Sequence, residues 1–227
     1  MIVYGKQIFF YLLERHPQKI RRVYLQKRID PALFERLKKL GIEVVLVDPK
    51  KAQALAKGGN HQGFLIEIDE YRFADLEDLK DGDFLVVLHG LTDVGNIGSI
   101  VRTAYALGVD GIVVTGLRSL AMEGVIRRSS GAALDMPIAL RFSALEVLKE
   151  LKDVKFGLYV ADMDGVDVRK ERFLGKRALI LGSEGEGVPK KLKERCDKVL
   201  RIVMKRPFDS LNVSAAAAIF IDRMRDE

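Results

Sequence analysis

Residues 84–88 read FLVVL and residues 93–104 read DVGNIGSIVRTA, and these two segments decide the fold. The first is a short apolar run, which is typical of a strand buried on both faces of a parallel sheet. The second opens with small and polar residues and continues with apolar residues at helical spacing. It predicts a helix over residues 96–107 that ends at Gly108. A buried strand followed directly by a helix is the repeating unit of an α/β protein.

The same alternation of strands and helices continues to the end of the chain. It predicts a parallel sheet covered by helices on both faces, with ligands bound beyond the carboxyl ends of the strands. Further strands are predicted at residues 111–115, 137–140, 156–161, 177–181 and 199–203, and further helices at 144–151, 189–195 and 211–225.

The front of the chain has the pattern of a separate, smaller α/β domain. We expect it to span residues 1–70, followed by an acidic linker at 71–83 and a larger domain at 84–227. Helices are predicted at residues 5–14 and 31–40, and strands at 22–25, 43–47 and 63–68.

Composition narrows the class of protein. The 227 residues are 48% hydrophobic and 31% charged, which is typical of a globular protein, and no apolar run is long enough to span a membrane. The N-terminus does not read as a cleaved signal. With one cysteine and three histidines, neither a disulfide nor a zinc site is expected. We therefore expect a cytoplasmic protein without a metal.

The net charge is +6, and the positive charge is concentrated at the front of the chain. Residues 1–57 contain 13 Lys and Arg against 5 Asp and Glu, whereas residues 58–80 contain 2 against 6. Such an excess favours a polyanion such as RNA or DNA, although a solvated lysine-rich surface would have the same composition.

The segment after the first apolar strand is the first candidate site. Gly95 and Gly98 permit the backbone to approach a ligand closely, and Asn96 is a candidate helix cap. The exposed backbone N–H groups of the first helical turn could bind an anion. Arg102 lies six residues further on, among apolar residues. A capped helix with a snorkelling arginine is the structural alternative. The spacing matches neither the dinucleotide fingerprint nor the phosphate-loop motif.

Two more segments combine glycine or polar residues with apolar strands. Residues 181–188 read LGSEGEGV. The glycines predict a loop whose backbone can approach a ligand closely, and the two carboxylates would repel a phosphate. A flexible turn is the alternative. Residues 202–204 read IVM, and residues 210–214 read SLNVS. Ser210 is a candidate N-cap of a last helix that is apolar on all sides, and this predicts burial in the core or in a subunit interface.

Two weaker candidates remain. Residues 127–132, which read RRSSGA, are predicted to form a loop that holds a phosphate backbone or is simply a charged turn. His61, within the sequence GNHQG, is predicted to be a surface or turn histidine and not a catalytic residue.

Taken together, these segments resemble the three motifs of a known family. In order and spacing, residues 96–104, 181–185 and 202–214 are similar to the TrmH/SpoU branch of the SPOUT superfamily, the RNA 2′-O-ribose methyltransferases. The resemblance covers residues 84–227. The front domain, through Tyr4-Gly5 and His61-Gln62-Gly63, resembles the substrate-binding domain of the RlmB-like guanosine 2′-O-methyltransferases of 23S rRNA.

The resemblance implies a deep trefoil knot between Gly182 and Ala218, an exception to the unknotted rule. It also implies S-adenosylmethionine as the methyl donor and a homodimer formed through the knotted domain. The cofactor positions implied by the family are Gly182, Ile202 and Leu211, with Leu181, Gly185, Met204 and Asn212 as neighbours.

The family assigns proton removal from the ribose hydroxyl to the motif-one arginine, here Arg102. An arginine is an unusual base, so clamping the substrate phosphate and orienting the hydroxyl are open alternatives. The shell around Arg102 is expected to consist of Asn96, Glu184, Ser210 and Asn212.

The implied partner is RNA, namely 23S rRNA or a ribosome assembly intermediate, and the implied product is a 2′-O-methylguanosine. A tRNA 2′-O-methyltransferase and an inactive RNA-binding relative are the alternatives. A dinucleotide-dependent oxidoreductase lacks the required glycine spacing.

Overall fold

The computed structural model describes residues 1–173, 175–206 and 210–225. Its contacts divide the chain into a first unit, residues 1–72 with 122–131, and a second unit, residues 73–121 with 132–227. In the described part of the chain no helix is long and apolar enough to cross a membrane.

The elements up to residue 106 are β1 (Ile2–Tyr4), α1 (Lys6–Arg15), β2 (Ile20–Leu25), α2 (Pro31–Lys39), β3 (Glu43–Leu46), α3 (Pro49–Leu55), β4 (Phe64–Ile68), α4 (Leu76–Leu79), β5 (Phe84–His89) and α5 (Val94–Ala106). The elements beyond it are β6 (Gly111–Thr115), α6 (Met122–Arg128), β7 (Ile138–Arg141), α7 (Ala144–Asp153), β8 (Gly157–Asp167), β9 (Arg177–Leu181), α8 (Lys190–Lys193), β10 (Lys198–Arg201) and α9 (Val213–Met224).

The first unit is built on a mixed four-stranded sheet in the order β1-β4-β2-β3. β2 and β3 are parallel, and β4 is antiparallel to both β1 and β2. α1 buries one apolar face, and its Phe9 ring stacks on Phe64 of β4 at 4.8 Å between centroids. The prediction of a small α/β unit is confirmed, although β1 and α3 had not been predicted.

The segment 122–131 is also part of the first unit. The prediction that residues 127–132 form a loop is wrong for Arg127 and Arg128, which end a helix, whereas residues 129–131 do form a turn. Met122, Val125 and Ile126 are buried at helical spacing, and α6 therefore continues to Arg128. The Arg127 guanidinium lies 4.8 Å from the centroid of the Tyr4 ring. That cation–π contact gives Arg127 a partner within the protein.

The second unit is built on a six-stranded, all-parallel sheet in the order β10-β8-β9-β5-β6-β7. Every residue of β6 and β9 is buried, as are the first five residues of β5. Strands buried on both faces carry near-continuous apolar sequence, and the sequence pattern showed this property. The predicted α/β architecture with a covered parallel sheet is confirmed.

Several element boundaries in the second unit differ from the sequence prediction, and that of β8 differs most. β8 was predicted to end at Ala161 but continues to Asp167, because its second half pairs with β10 after a shift in register. Gly165 lies so close to Leu200 that an added Cβ would stand 2.6 Å from the Leu200 backbone. α8 was predicted over residues 189–195 but covers only Lys190–Lys193.

The last helix is tied to the sheet at its C-terminal end. Arg177, only 3% exposed at the start of β9, donates from Nε to the carbonyl oxygen of Met224 at 2.5 Å. Its guanidinium also lies 4.9 Å from the Phe84 ring centroid. A carbonyl group in the last turn of a helix has no partner within the helix, and the arginine donates to it. The positive charge of the arginine also interacts favourably with the negative end of the helix dipole.

Candidate active site

The loops that follow β5 and β9 begin side by side. These two strands are parallel neighbours, with Leu88 opposite Leu181, so their carboxyl ends lie at the same edge of the sheet. From β5 the chain continues to β6 and β7 on one side, while β8 lies on the other side of β9. Where the chain adds strands in opposite directions from two neighbouring strands, the connecting segments leave on opposite sides and open a crevice. Ligands of α/β proteins bind in this crevice.

Three polar side chains from three distant segments meet at this edge. Asn96 of α5 donates from Nδ2 to Glu184 Oε1 at 3.1 Å. Asn212 donates from Nδ2 both to Glu184 Oε1 at 2.8 Å and to Asn96 Oδ1 at 3.1 Å. We call Asn96, Glu184 and Asn212 the amide–carboxylate cluster. It joins the starts of α5 and α9 to the loop after β9.

The residues that cap α5 and α9 are not the ones that the sequence predicted, and this difference makes the cluster possible. Asp93 caps α5 by accepting from the Asn96 backbone N–H at 2.7 Å, so the predicted cap Asn96 is wrong and its amide is available to Glu184. Asn212 caps α9 by accepting from the Ser214 N–H at 2.9 Å, so the predicted cap Ser210 is also wrong. The side-chain oxygen of Asn212 thus caps α9, and its side-chain nitrogen donates the hydrogen bonds of the cluster.

Glu184 uses its two carboxylate oxygens unequally. Oε1 accepts from both amide side chains and, at 3.5 Å, from the backbone N–H of Val213. No described residue donates to Oε2. The side chain is exposed and lines the cleft at this edge. Glu184 is therefore held in place through one oxygen and has the other available for a ligand hydroxyl.

The glycine-rich loop after β9 closes on itself. Ser183 pairs with Gly187, whose N–H donates to the Ser183 carbonyl at 3.0 Å, and Gly187 has a left-handed φ of 65°. An added Cβ at Gly182 would overlap the carbonyl carbon and oxygen of Gly187. Gly182 is thus required by the loop's own packing, whereas Gly185 has nothing within 4 Å of such a Cβ.

The cleft beside this loop has a volume of about 610 Å³. That is within the size range of small-molecule and cofactor sites. Its wall combines backbone of the glycine loop with apolar side chains and with both signs of charge. The predicted cofactor residues that line it are Leu181, Gly182, Gly185, Ile202, Met204 and Leu211, together with the predicted shell residues Glu184 and Ser210.

Sequence reasoning missed one wall of this cleft, which comes from the extension of β8. Ala161, Asp162 and Met163 line the cleft, as do Ala216 and Phe220 of α9. Residues 162–167 read DMDGVD, a composition typical of a loop, so no pattern in the chain marked them as strand. Only the pairing with β10 makes them one.

Asp162 is the titratable group of this wall. Burial opposes its ionisation, but hydrogen bonds from Lys193 and from the backbone N–H groups of Asp164 and Met163 outweigh burial and lower the pKa of Asp162 below its ordinary value. The carboxylate also forms an ion pair with Lys193. Asp162 is therefore a fixed negative charge in the wall at neutral pH.

Three predicted residues do not line the cleft. Asn96 and Asn212 belong to the amide–carboxylate cluster at its edge. Arg102 lies on α5, with an exposed side chain, six residues after Asn96. Pro207, Phe208 and Asp209 lie outside the described residues, within the segment of the predicted knot, which stays a prediction.

Two family descriptions match the chain and together cover most of it. "SpoU rRNA Methylase family" matches residues 83–222, and "RNA 2′-O ribose methyltransferase substrate binding" matches residues 2–74.

Individual relatives match over most of their length. The 23S rRNA (guanosine-2′-O-)-methyltransferase RlmB of Haemophilus ducreyi is 30% identical over 96% of this chain and 94% of its own. A putative TrmH family tRNA/rRNA methyltransferase of Bacillus subtilis is 32% identical over 83% of this chain and 79% of its own.

Among solved structures, the SpoU methyltransferase AviRb of Streptomyces viridochromogenes, in complex with AdoMet, superimposes with a TM-score of 0.82. It is 24% identical and covers 99% of this chain and 88% of its own, a likeness that shows the fold. The prediction of a SPOUT-type RNA methyltransferase is thus confirmed. The chain belongs to the SpoU rRNA methylase family, with the substrate-binding domain of RNA 2′-O-ribose methyltransferases at its front.

Proposed function

We propose that this protein transfers the methyl group of S-adenosylmethionine to the ribose 2′-hydroxyl of a guanosine in 23S rRNA. The observation that carries the proposal is the amide–carboxylate cluster at the edge of the cleft, in a chain that matches the family over residues 83–222. The relatives named RlmB, similar over 96% of this chain, support the choice of rRNA and of guanosine.

The cleft of the second unit fits an adenosyl cofactor. It has room for one, and its wall offers apolar surface from Leu181, Ile202 and Leu211 beside backbone groups of the glycine loop. Three carboxylates (Asp162, Glu184 and Glu186) and three basic residues (Arg201, Lys205 and Arg206) line it, so it offers partners to both the cationic groups and the carboxylate of an amino-acid-bearing cofactor. When bound, S-adenosylmethionine supplies a methyl group activated by its sulfonium. The likeness to AviRb with AdoMet supports this assignment.

The residues of the cluster prepare the acceptor side of the reaction. Glu184, fixed through Oε1, offers Oε2 to a ribose hydroxyl and so orients it. Asn96 and Asn212 keep Glu184 in that position. Ser210 is exposed and lines the cleft, where its hydroxyl is available to the substrate.

Arg102 is the residue that binds the substrate phosphate and so orients the ribose hydroxyl. Its guanidinium is exposed on α5, the helix that also carries Asn96. A planar cation with five donors suits a phosphate better than it suits proton abstraction. Arg102 therefore acts as a clamp that orients the hydroxyl, and it is essential for transfer.

The enzyme acts as a homodimer whose interface includes α9. This helix exposes Ala215 and Ile219 while it buries Ala217, Phe220 and Ile221, so apolar residues face in more than one direction.

The chain consists of a substrate-binding domain at residues 1–70, a linker at 71–83 and a catalytic domain at 84–227, a division supported by the matches to 2–74 and 83–222. An rRNA substrate implies action in the cytoplasm.

The test is transfer of a labelled methyl group from S-adenosylmethionine to unmodified 23S rRNA and, in parallel, to unmodified tRNA, followed by nucleoside analysis. The expected result is label in 2′-O-methylguanosine from rRNA alone. Label in tRNA alone would keep the chemistry and contradict the substrate. No label in either RNA, with cofactor binding demonstrated by calorimetry, would contradict free 23S rRNA as the substrate; label in an immature ribosomal subunit would then identify an assembly intermediate.

A further inference from the structure

The carboxyl ends of β5, β6 and β7 form a stretch of the sheet edge that lies outside the cleft of the second unit. The strand order is β8-β9-β5-β6-β7, so this stretch begins beside the amide–carboxylate cluster and runs away from β8. The described residues that line the cleft come from β8, from α9, and from the ends of β9 and β10 with the segments that follow them. A substrate that reaches the cluster without entering the cofactor's space therefore approaches over β5, β6 and β7.

Hydrogen bonds between neighbouring segments hold this edge together. The Gly90 N–H donates to the Thr115 carbonyl at 3.0 Å, and the Gly116 N–H donates to the Phe142 carbonyl at 3.0 Å. His89 Nδ1 also lies 3.1 Å from Thr115 Oγ1. The segments that follow β5, β6 and β7 are thus joined into one surface beyond the strand ends.

Phe142, the first residue after β7, presents its aromatic ring to solvent on this surface. It is 62% exposed, the largest exposed fraction among the large apolar residues that the structure describes. Its backbone is fixed on both sides, because its carbonyl accepts from Gly116 and the next residue, Ser143, caps α7. A ring held by a fixed backbone loses little conformational freedom when a ligand stacks on it.

Arg118 lies over the Phe142 ring, with its guanidinium carbon 5.6 Å from the ring centroid. Gly116, with a left-handed φ of 79°, turns the chain between β6 and Arg118. Arg118 is exposed and forms no hydrogen bond or ion pair with any residue in the described part of the chain. We call Phe142 and Arg118 the Phe–Arg pair. The ring positions the guanidinium, whose N–H donors stay available to a ligand.

We propose that the Phe–Arg pair stacks an unpaired base of the substrate RNA, next to the nucleotide that is methylated. Aromatic rings and guanidinium planes are the side-chain surfaces on which unpaired RNA bases stack. The pair offers one of each, and its positive charge suits the phosphate of the same nucleotide. This inference rests on the proposed function for the presence of RNA. It adds two positioning residues to the acceptor side of the reaction.

The distance along the sheet edge fits this role. Neighbouring strands are about 4.8 Å apart, so the end of β7 lies about 10 Å from the end of β5. The segment after β5 leads into the helix that carries Asn96 of the cluster. A base stacked at the end of β7 therefore belongs to a nucleotide close to the acceptor, and fixing that base restricts the orientation of the acceptor ribose.

The main test uses tryptophan fluorescence, because the chain contains no tryptophan. Phe142→Trp introduces a single reporter that keeps an aromatic face beside Arg118. A base that stacks on this reporter should quench its fluorescence when unmodified 23S rRNA is added to the whole chain, and the midpoint should match the Kd from filter binding.

Phe73→Trp is the matched control for the fluorescence experiment. Phe73 is another exposed phenylalanine of the second unit, but it lies near the opposite end of β7, since the N–H of the adjacent Ala74 donates to the Ile138 carbonyl. Quenching in Phe142→Trp well beyond that in Phe73→Trp is the expected result. Equal quenching in the two proteins, or none in a Phe142→Trp protein that binds the RNA, overturns the inference.

Removal of the ring measures the size of the effect. Phe142→Leu keeps an apolar side chain without an aromatic face, and the Kd for 23S rRNA should rise at least about fivefold, the lower end of the contribution of one base–aromatic stack. Phe142→Tyr should restore the wild-type Kd. The melting temperature and the affinity for S-adenosylmethionine should not change, because Phe142 is exposed and does not line the cleft. A wild-type Kd in Phe142→Leu overturns the inference.

Two substitutions at Arg118 separate stacking from charge. Arg118→Lys keeps the charge and removes the planar guanidinium, so it should weaken rRNA binding and leave the salt slope of the binding constant unchanged. Arg118→Gln should also reduce that slope by about 0.7. A wild-type Kd in Arg118→Lys would make Arg118 a simple phosphate contact and overturn the stacked pair.

Leu145→Ala separates an RNA base from a protein partner. Leu145 is 41% exposed in the first turn of α7, so it would extend an apolar contact with a protein. Wild-type RNA binding in Leu145→Ala, together with weakened binding in Phe142→Leu, supports the inference. Equal weakening in both variants would assign the effect to a general apolar surface and overturn it.

The outcomes distinguish this inference from the proposed function. Wild-type protein that methylates rRNA, with a Phe142→Leu variant that binds RNA like wild type, contradicts the inference alone. Quenching in Phe142→Trp and weakened binding in Phe142→Leu, in a protein without methyl transfer, contradict the proposed function alone. Wild-type protein that binds no RNA contradicts both.

Discussion

The two clefts of this protein are nearly equal in volume, about 640 Å³ in the first unit and about 610 Å³ in the second, but they differ in charge. The cleft of the first unit, between residues 26–29 and 58–63, is lined by two cations and no carboxylate. The cleft of the second unit is lined by Asp162, Glu184 and Glu186 as well as by three basic residues. The two clefts therefore differ more in the charge of their lining residues than in size, since the first presents only cations to a ligand and the second presents both signs of charge.

The two clefts are also preorganised by different means. In the cleft of the first unit, backbone conformation fixes the wall: Gln62 and Gly63 are left-handed, and the Gln62 side chain accepts a hydrogen bond from the Lys6 N–H. In the second unit, side chains from α5, the glycine loop and the start of α9 hold one another. Substitutions in the cleft of the second unit should therefore damage methyl transfer even at saturating RNA.

The largest effect is expected from Arg102→Ala. Loss of the cation that orients the hydroxyl should lower kcat at least about 100-fold, as removal of a group acting in the transition state does. The affinity for S-adenosylmethionine should stay unchanged, because Arg102 does not line the cleft. Single-turnover methyl transfer and calorimetry measure the two quantities. Arg195→Ala, an exposed arginine outside the cleft, is the control. Equal activity in both variants would remove Arg102 from the mechanism.

Gly182→Ala should have the next largest effect. Its Cβ would overlap the Gly187 carbonyl, so the loop must shift, at a cost of about 1–3 kcal/mol in the free energy of unfolding. The affinity for S-adenosylmethionine should fall at least about tenfold, the equivalent of 1.4 kcal/mol. Gly185→Ala is the matched control on the same loop, since its Cβ meets no atom within 4 Å. Calorimetry and thermal unfolding check both; similar behaviour of the two variants would contradict the loop's self-packing.

Glu184→Ala should have an intermediate effect. It leaves the side-chain amides of Asn96 and Asn212 without their carboxylate, and kcat should fall about tenfold because two hydrogen bonds that align the cluster are lost. Glu186→Ala is the control: it removes the same charge from the same loop, but Glu186 forms no hydrogen bond or ion pair with the described residues. A loss of activity shared by both variants would assign the effect to charge and not to the cluster.

The smallest effect concerns stability and pH, at the end of β5. Burial lowers the pKa of His89 below its ordinary value of 6.5, and its Nδ1 lies 3.1 Å from Thr115 Oγ1. The unfolded chain therefore binds this proton at a higher pH than the folded chain does, so the free energy of unfolding falls as the pH drops through 6.5 and below. His89→Asn should flatten this dependence between pH 7.5 and 5.5 in thermal unfolding. Parallel curves for the two proteins would show that His89 is not responsible.

Local sequence was sufficient where one physical signal dominated. The apolar runs of β5, β6 and β9 predicted buried parallel strands, because such strands are apolar on both faces. It was insufficient where pairing between distant segments decided the structure. The strand at residues 162–167 has the composition of a loop, and it forms only because β10 pairs with it.

The helix caps show the same limit at the site itself. Asn96 and Ser210 are good capping residues by type, but Asp93 and Asn212 occupy the caps. Capping preference is worth about 1 kcal/mol and differs little among Asp, Asn and Ser, so it cannot choose between neighbours. Glu184 binds the side chain of Asn96, which does not cap α5, and that of Asn212, which caps α9, so contacts between distant segments accompany both choices.

The sequence by itself determined the α/β class, the order of most strands and helices, the basic front domain and, through three motifs, the family. Each of these depends on residues close together in the chain, where periodicity and composition act directly. Only the tertiary structure decided that Asn96, Glu184 and Asn212 form one cluster, that residues 161–163 line the cleft, and that His61 is buried. Hydrogen bonds and burial between distant segments depend on strand order and register, which the local pattern does not specify.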